Sequence, residues 1–175
     1  MTSNQINIIK ELARALPIHY KLYVKEHPLM VGDRTRAFYK SIKKMPNVRL
    51  IRPHINSFEI VKKAKLVATI NGTAGWEAIL FKKPVIVFGE SFFNPLSAVA
   101  YCTSLHDLPN IVKRQLELFN YNEQEITDFL TALIEDMAPV DMVHLWEHEN
   151  DHNKIITDVE PLVNLLAKKL NLRSL

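Results

Sequence analysis

Residues 71–75 of this chain have the residue types and the position that are typical of a phosphate-binding turn. They read Asn-Gly-Thr-Ala-Gly and follow an apolar run over 66–70 that predicts a strand. If a helix begins here, the N–H groups of Thr73, Ala74 and Gly75 and the partial positive charge of the helix start would bind phosphate oxygens. Taken alone, the pattern fits better a tight turn in which Thr73 caps the helix without a ligand.

Glycine is concentrated around this turn. Three of the four glycines of the chain stand at positions 72, 75 and 89. We expect Gly72 to allow either a positive φ or a close approach of the main chain to a neighbour. The turn has neither the lysine of a Walker sequence nor the spacing of a dinucleotide fingerprint, so neither motif applies.

Two side chains just after the turn could extend a phosphate site toward a nucleoside. Glu77 lies early in the predicted helix. Its carboxylate could accept hydrogen bonds from ribose hydroxyls, or it could complement the helix dipole at the surface. Trp76 could offer its ring to a base, although packing against the protein is the commoner role of a tryptophan at such a position.

Polar side chains also follow two earlier predicted strands. His27 is followed by Pro28, which favours an extended main chain at His27. An imidazole held at the sheet edge could donate to a phosphate or protonate a leaving group. Asn56 and Ser57 lie at the end of the next loop. They could bind a base, but capping of the following helix is the simpler role for Ser57.

These segments belong to a regular alternation of short strands and helices. We predict strands over 19–25, 48–51, 66–70 and 84–88, and helices over 5–16, 34–44, 57–63 and 74–82. The predicted fold class is α/β, a Rossmann-like parallel sheet with helices on both faces, followed by a helical C-terminal segment. Right-handed crossovers would gather the loops that follow the strands along one edge of the sheet, where such folds bind ligands.

The pattern changes after about residue 105. Helical periodicity covers 107–120, 123–137, 141–149 and 155–171, with Asn122 and Thr157 as candidate caps. We therefore expect residues 1–105 to form the Rossmann-like domain and residues 106–175 to form a helical extension packed on the same domain.

A second set of residues could bind a metal. His144-Leu145-Trp146-Glu147-His148 matches an inverted zinc-protease pattern, and His152 follows after one more helical turn. A single helix would place the three histidines on one face. Because the match leaves two positions open and is therefore unspecific, we expect a solvated helix face and no metal.

Composition excludes several other classes of protein. The chain has 22 basic and 19 acidic residues, and the basic ones are scattered, so nucleic-acid binding is not predicted. The net charge of +3 would suit an anionic ligand or an acidic membrane surface. We expect no transmembrane helix and no signal peptide, and the single cysteine, Cys102, precludes an internal disulfide. These features indicate a cytoplasmic protein with a buried thiol.

Taken together, these motifs resemble one known family. Over roughly residues 20–110 the chain is similar to the C-terminal half of capsule polysaccharide synthesis proteins, the Kdo-transferase type related to bacterial sialyltransferases. The elements that carry the resemblance are His-Pro at 27–28, Asn-Ser-Phe-Glu at 56–59, the turn running into Gly-Trp-Glu-Ala at 75–78, Lys-Pro-Val at 83–85, Phe-Gly at 88–89 and Phe-Phe at 92–93.

The resemblance implies a GT-B glycosyltransferase, in which two Rossmann-like domains face a cleft and no metal or other cofactor is required. The C-terminal domain of such an enzyme binds the sugar nucleotide, usually a CMP-linked one in this group. By position, His27 would contact the donor phosphate as the catalytic residue. The positions that match substrate-binding residues are Asn56 and Ser57 near the nucleotide, Gly72, Thr73 and Ala74 at the phosphate, and Glu77 at the ribose.

The chain departs from that family in one large respect, since the N-terminal acceptor domain, which supplies the general base, is missing. We therefore expect the donor-binding domain of a glycosyltransferase of capsule or surface polysaccharide synthesis. Its partners would be a nucleotide-sugar donor, the missing acceptor domain and, peripherally, the inner face of the membrane. Two alternatives stay open: a nucleotide-sugar epimerase of GT-B form, and a non-catalytic interaction domain whose helical segment docks a partner or a membrane face.

Overall fold

The computed structural model describes residues 5–27, 32 and 34–171, with only the main chain of Glu147. The chain divides into two compact units, Met1–Asn122 and Glu123–Leu175. The strands that the structure describes all belong to the first unit, and the described part of the second unit is helical.

Strands and helices alternate along the first unit. A short 3-10 helix, Leu105–Asp107, precedes its last helix. In chain order the elements are α1 (Gln5–Ala15), β1 (Leu22–Lys25), α2 (Arg36–Lys43), β2 (Val48–Ile51), α3 (Ser57–Lys63), β3 (Val67–Thr69), α4 (Thr73–Leu80), β4 (Val85–Val87), β5 (Val99–Tyr101) and α5 (Leu108–Glu117).

The strands form two parallel sheets. β1 pairs with β2, from Leu22 opposite Val48 to Lys25 opposite Ile51. β4 lies between β3 and β5 and pairs in parallel with both. The predicted α/β class, with parallel strands flanked by helices and a helical C-terminal segment, is confirmed. β2 has the predicted bounds, the other three predicted strands are shorter than predicted, and the strands are hydrogen-bonded as two sheets rather than one.

The core of the first unit is built around β4. Its three residues, Val85–Val87, are completely buried, as expected for a central parallel strand of β-branched side chains covered on both faces. Ile86 belongs to an apolar cluster with side chains of α1 and α5. Leu22 of β1 packs against this cluster and also against a second one around Ile42 and Val48. The two sheets therefore share apolar packing through Leu22.

One strand was not predicted. Val99–Tyr101 form β5, where the sequence showed only an apolar run before Cys102. The expected burial of Cys102 is confirmed, and burial raises the pKa of its thiol. The thiol lies 3.2 Å from the carbonyl oxygen of Ser104.

The second unit consists of α6 (Glu123–Glu135), α7 (Met142–Glu147) and α8 (His152–Lys169) in the described range. The prediction that Thr157 caps the last helix is wrong. α8 begins earlier, at His152, where the side chain of Asp151 accepts a hydrogen bond from the N–H of Asn153. Thr157 lies inside the helix and donates to the carbonyl of Asn153. No helix in the described residues is both long enough and apolar enough to span a membrane.

The start of α4 lies unusually close to its neighbours. A Cβ atom at Gly75 would lie 2.8 Å from Cζ of Phe93 and 3.0 Å from Cγ2 of Thr69. Both distances are shorter than a normal contact, and Phe93 is itself buried, so its ring has little room to move. Gly75 therefore allows the first turn of α4 to pack directly against β3 and the loop that follows β4.

We expect Gly75→Ala to destabilise the protein by about 1–2 kcal/mol, since the added methyl group overpacks this contact. In a helix without such a neighbour the same change would stabilise the protein by up to about 1 kcal/mol. A loss of stability therefore identifies the contact between Gly75 and Phe93. The free energy of unfolding in urea measures the effect. In a Phe93→Leu background the cost of Gly75→Ala should become much smaller, and an equal cost in both backgrounds would contradict the packing account.

Candidate functional site

The strand-to-helix turn after β3 is tight and is held by Thr69. Gly72 has φ −78° and ψ 157°, so the positive φ considered for it does not occur. Its N–H donates to Oγ1 of Thr69 at 3.0 Å, and a Cβ at Gly72 would lie only 3.1 Å from the same oxygen. The alternative prediction for Gly72 was a close approach of the main chain to a neighbour. The close approach to Thr69 is the reason that glycine fits at this position.

The first turn of α4 begins without a side-chain cap. Gly72 is the N-cap residue, and no side-chain hydrogen bond caps the helix in the described structure. The expectation that Thr73 caps this helix is wrong, because Thr73 is the first helical residue and its side chain is exposed. The N–H of Gly75 bonds the carbonyl of Gly72 at 3.0 Å. The Thr73 hydroxyl is thus placed at the positive end of the helix dipole, where it can meet an anion.

The loop after β4 lies beside this turn. A Cβ at Gly89 would be 3.1 Å from the carbonyl oxygen of Ile70 and 3.7 Å from Cβ of Asn71. The side chain of Asn94 spans the same loop and donates to the carbonyl of Gly89 at 3.2 Å. The loops that follow β3 and β4 therefore adjoin at the carboxyl edge of the sheet, as predicted for these two.

Glu77 contributes a buried carboxylate oxygen to this region. Its Oε2 atom is buried and receives no hydrogen bond from the described residues. Thr73 and Glu77 are four residues apart, so they share one face of α4. An unpaired buried carboxylate oxygen is costly, so this atom is a candidate acceptor for a ligand hydroxyl.

Sequence reasoning missed two polar residues in the loop after β4. Oγ of Ser91 and Oδ1 of Asn94 are also buried without a hydrogen-bond partner among the described residues. The available signal was their position, since both follow Gly89 at the end of a buried strand. Each atom can accept a hydrogen bond, so the loop has two acceptors that a ligand could bind.

His27 lies two residues after the end of β1, with an exposed side chain, next to a polar cluster. The hydroxyl of Tyr39 donates to Oε2 of Glu26 at 2.6 Å, and the hydrogen bond raises the pKa of Tyr39. Nε of Arg34 lies 3.8 Å from Oε1 of Glu26. This cluster ties the residue before His27 to α2. Pro28, which was predicted to keep His27 extended, lies outside the described residues.

Asn56, rather than Ser57, caps α3. Oδ1 of Asn56 accepts a hydrogen bond from the N–H of Phe58 at 2.9 Å, and Ser57 is the first residue of the helix. The capping role predicted for Ser57 is therefore wrong, because the cap lies one residue earlier in the chain. The cap uses the side-chain oxygen of Asn56. The NH2 group of the same side chain can still donate hydrogen bonds to a ligand.

The predicted residues fall into two groups according to the strands that they follow. His27 and Asn56 follow β1 and β2, whose ends are paired at Lys25 and Ile51. Gly72, Thr73, Ala74 and Glu77 belong to the turn and helix that follow β3, next to the loop after β4. The second group is the better-defined candidate site, since its main-chain geometry and its buried carboxylate are both described.

The histidines at 144, 148 and 152 do not share one helix. α7 ends before His148, and α8 begins at His152. Within the described ranges, no group of three or more potential ligands is arranged to hold a metal ion. The side chain of Glu149 instead accepts from the N–H groups of Asn150 and Asp151 and lies 2.5 Å from Nζ of Lys154. This carboxylate is a structural link between α7 and α8.

The fold and the turn define an α/β protein of the kind that binds ligands at the carboxyl ends of parallel strands. Residues 2–122 match the family described as capsule polysaccharide biosynthesis protein, and the chain belongs to this family. The match ends at Asn122, which is also the last residue of the first compact unit. The resemblance to capsule polysaccharide synthesis proteins is confirmed at this level.

Two curated relatives are similar to parts of the chain. Capsule polysaccharide export protein KpsS of Escherichia coli is 30% identical over 103 residues, which is 57% of this chain and 26% of the relative. Protein FixF of Sinorhizobium fredii is 38% identical over 71 residues, which is 41% of this chain and 16% of the relative. The chain thus matches about a quarter or less of each relative's length. No solved structure matches the chain significantly.

We expect Asn56→Ala to lower the free energy of unfolding by about 1 kcal/mol, because α3 would lose its side-chain cap. Ser57→Ala is the matched control and should cost less than about 0.5 kcal/mol, since surface changes away from caps are usually small. Urea unfolding of both variants measures the difference. Equal losses, or a larger loss for Ser57→Ala, would contradict the assignment of Asn56 as the cap.

The contacts of Glu149 predict an acid-sensitive link between α7 and α8. Hydrogen bonds from Lys154 and from the N–H of Asp151 lower the pKa of Glu149 to about 2 from its ordinary value of 4.5. Because the folded pKa is lowered, the stabilisation is fully present above the ordinary value and is lost as the pH falls toward 2. We expect NMR titration of the Glu149 carboxyl carbon to give a midpoint near the lower value.

Two variants test the cause of that shift. Lys154→Ala should raise the pKa of Glu149 toward its ordinary value, because it removes the strongest donor. His144→Ala should change it less, since Nε2 of His144 lies 4.0 Å from Oε2 of Glu149. A midpoint that does not respond to Lys154→Ala would show that the ion pair does not form in solution.

Proposed function

We propose that the first unit of this chain is the donor-binding domain of a glycosyltransferase of capsule or surface polysaccharide synthesis, with a nucleotide-sugar as its ligand. The observation that carries the proposal is the start of α4. Among the described residues, no side chain caps this helix, and none donates to the buried Oε2 of Glu77, four residues after Thr73. A phosphate at the helix start and a ribose hydroxyl at Glu77 would satisfy both groups.

The reaction of the complete enzyme would break the bond between the anomeric carbon of the sugar and a phosphate oxygen. Negative charge then accumulates on the departing phosphate. We propose that the N–H groups at the helix start, the Thr73 hydroxyl and the imidazole of His27 stabilise that charge, since preorganised donors need no rearrangement during the reaction. We assign to His27 the further role of donating a proton to the leaving phosphate.

A general base for the acceptor hydroxyl is not assigned to this chain. The two curated relatives are several times longer than the segments that match, so an acceptor domain is proposed as the second half of the site. Nucleotide-sugars are the proposed donors, CMP-linked ones first, in keeping with the resemblance on which the site residues were predicted. We propose a cytoplasmic location for the domain, with peripheral contact to the inner face of the membrane.

Titration of the full chain with CMP, CDP, UDP and GDP by calorimetry tests this proposal. We expect saturable binding of at least one nucleotide. Thr73→Val keeps the shape of the side chain but removes its hydroxyl, and it should weaken binding about tenfold, as expected for a lost hydrogen bond to a charged group. His27→Ala and Glu77→Gln should also weaken binding.

Thr131→Val on α6 is the matched control, since Thr131 bonds only the carbonyl of Thr127 in the described structure. Its nucleotide affinity should be that of the wild type. The proposal fails if none of the four nucleotides binds, or if His27→Ala and Thr73→Val bind as tightly as the wild type. An altered nucleotide-sugar released from a UDP-sugar would instead identify an epimerase.

A second candidate function is suggested by the name of the Escherichia coli relative, which refers to capsule polysaccharide export. A domain that serves export by binding another protein would not require a nucleotide at the start of α4. Partner binding that persists unchanged in Thr73→Val, without any nucleotide affinity, would favour this function over the first.

A further inference from the structure

An aromatic side chain is exposed at the edge of the candidate site. Phe92 lies in the loop after β4 and is 54% exposed, whereas its neighbour Phe93 is 1% exposed. Exposure of a phenylalanine ring to water is unfavourable, and burial of the ring elsewhere would stabilise the protein. The loop therefore presents this ring at the surface although the next residue is fully packed.

The ring of Phe92 is held in place by two other aromatic rings. Its centroid lies 5.3 Å from that of Trp76 in a tilted arrangement and 5.1 Å from that of Phe93 in an edge-on arrangement. Trp76 and Phe93 in turn stack with centroids 6.3 Å apart. Because aromatic pairs at these distances attract each other, the exposed ring is pre-organised.

The aromatic cluster lies beside the proposed phosphate position. Thr73, Trp76 and Glu77 are related by three- and four-residue spacing, so they lie on one side of α4 within about one helical turn. Phe93 contacts the first turn of the same helix at Gly75. A phosphate at Thr73 and a ribose at Glu77 therefore place the next part of a nucleotide, its base, near Trp76 and Phe92.

We propose that Phe92 is the stacking platform for the nucleobase of the donor, held in position by Trp76 and Phe93. This inference rests on the proposed function and assigns the base end of the ligand to the loop after β4. Stacking on an aromatic ring tolerates any base, since every base has a π face. Phe92 would therefore supply affinity for the nucleoside, while the choice among bases would come from polar groups elsewhere.

The experiment compares nucleotides with a probe that has no base. CMP, UMP, AMP, GMP and ribose 5-phosphate are titrated by calorimetry into the full wild-type chain and into Phe92→Leu. We expect Phe92→Leu to bind the nucleoside monophosphates about tenfold more weakly, at the low end of the effect of losing one base stack. Its affinity for ribose 5-phosphate should equal that of the wild type.

Tyr23→Leu is the matched control for loss of an exposed aromatic ring. Tyr23 is 60% exposed and lies in β1, which belongs to a different sheet from β4. The nucleotide affinity of this variant should be that of the wild type. Thermal unfolding by circular dichroism establishes that both variants are folded at the temperature of the titration.

Fluorescence gives an independent readout of base position. The chain has two tryptophans, Trp76 and Trp146. In a Trp146→Phe background all tryptophan emission comes from Trp76, and we expect CMP but not ribose 5-phosphate to quench it. The quenching should be weaker when Phe92→Leu is combined with Trp146→Phe, because the base is then held less firmly beside Trp76.

The possible outcomes separate the two proposals. Nucleotide binding that is equally tight in wild type and Phe92→Leu would overturn the stacking role and leave the proposed function standing. Equal weakening for ribose 5-phosphate would also overturn it, because Phe92 would then act on the sugar or the fold. No binding of any probe to the wild type would contradict the proposed function, and the stacking role with it.

Discussion

The first turn of α4 packs against Thr69 and Phe93 at a distance that leaves no room for a side chain at Gly75. This contact determines where the helix begins relative to β3 and to the loop after β4. Residues of the candidate site on α4 are fixed by the same geometry, since Thr73 and Glu77 lie within one turn of Gly75. Any shift of the helix to accommodate a larger residue would move all of them together.

The helix start fixed in this way has three properties that suit a nucleotide. Among the residues that the structure describes, no side chain caps the helix and none donates to the buried carboxylate oxygen of Glu77. The third property is the exposed ring of Phe92 beside the helix start. Each property is unfavourable for the protein alone, and each would be relieved by a different part of one ligand. A protein with no ligand at this position would be more stable with a capped helix, a paired carboxylate and a buried ring. The occurrence of all three unfavourable properties together therefore supports a binding role.

Much of the α/β unit could be predicted from the sequence because apolar runs and caps act locally. The bounds of β2 at Val48–Ile51 were predicted correctly, whereas β5 was missed because three residues within a loop-rich stretch carry no periodicity. Asn56 and Ser57 are both good caps, and only the point at which the chain turns decides between them. The three histidines of the zinc-like pattern do not lie on one helix, since α7 ends before His148 and α8 begins at His152. The predicted helices over 141–149 and 155–171 were likewise separate.

The central claim is that the start of α4 binds the phosphate of a nucleotide, and amide NMR tests it most directly. A ¹⁵N-labelled sample is titrated with CMP while the N–H signals of Thr73 and Ala74 are followed, because the N–H of Gly72 already donates to Thr69. We expect these two signals to move furthest, saturate together and shift downfield as their hydrogen bonds to phosphate form. Saturable shifts confined to other parts of the chain, with these two amides unmoved, would contradict the claim.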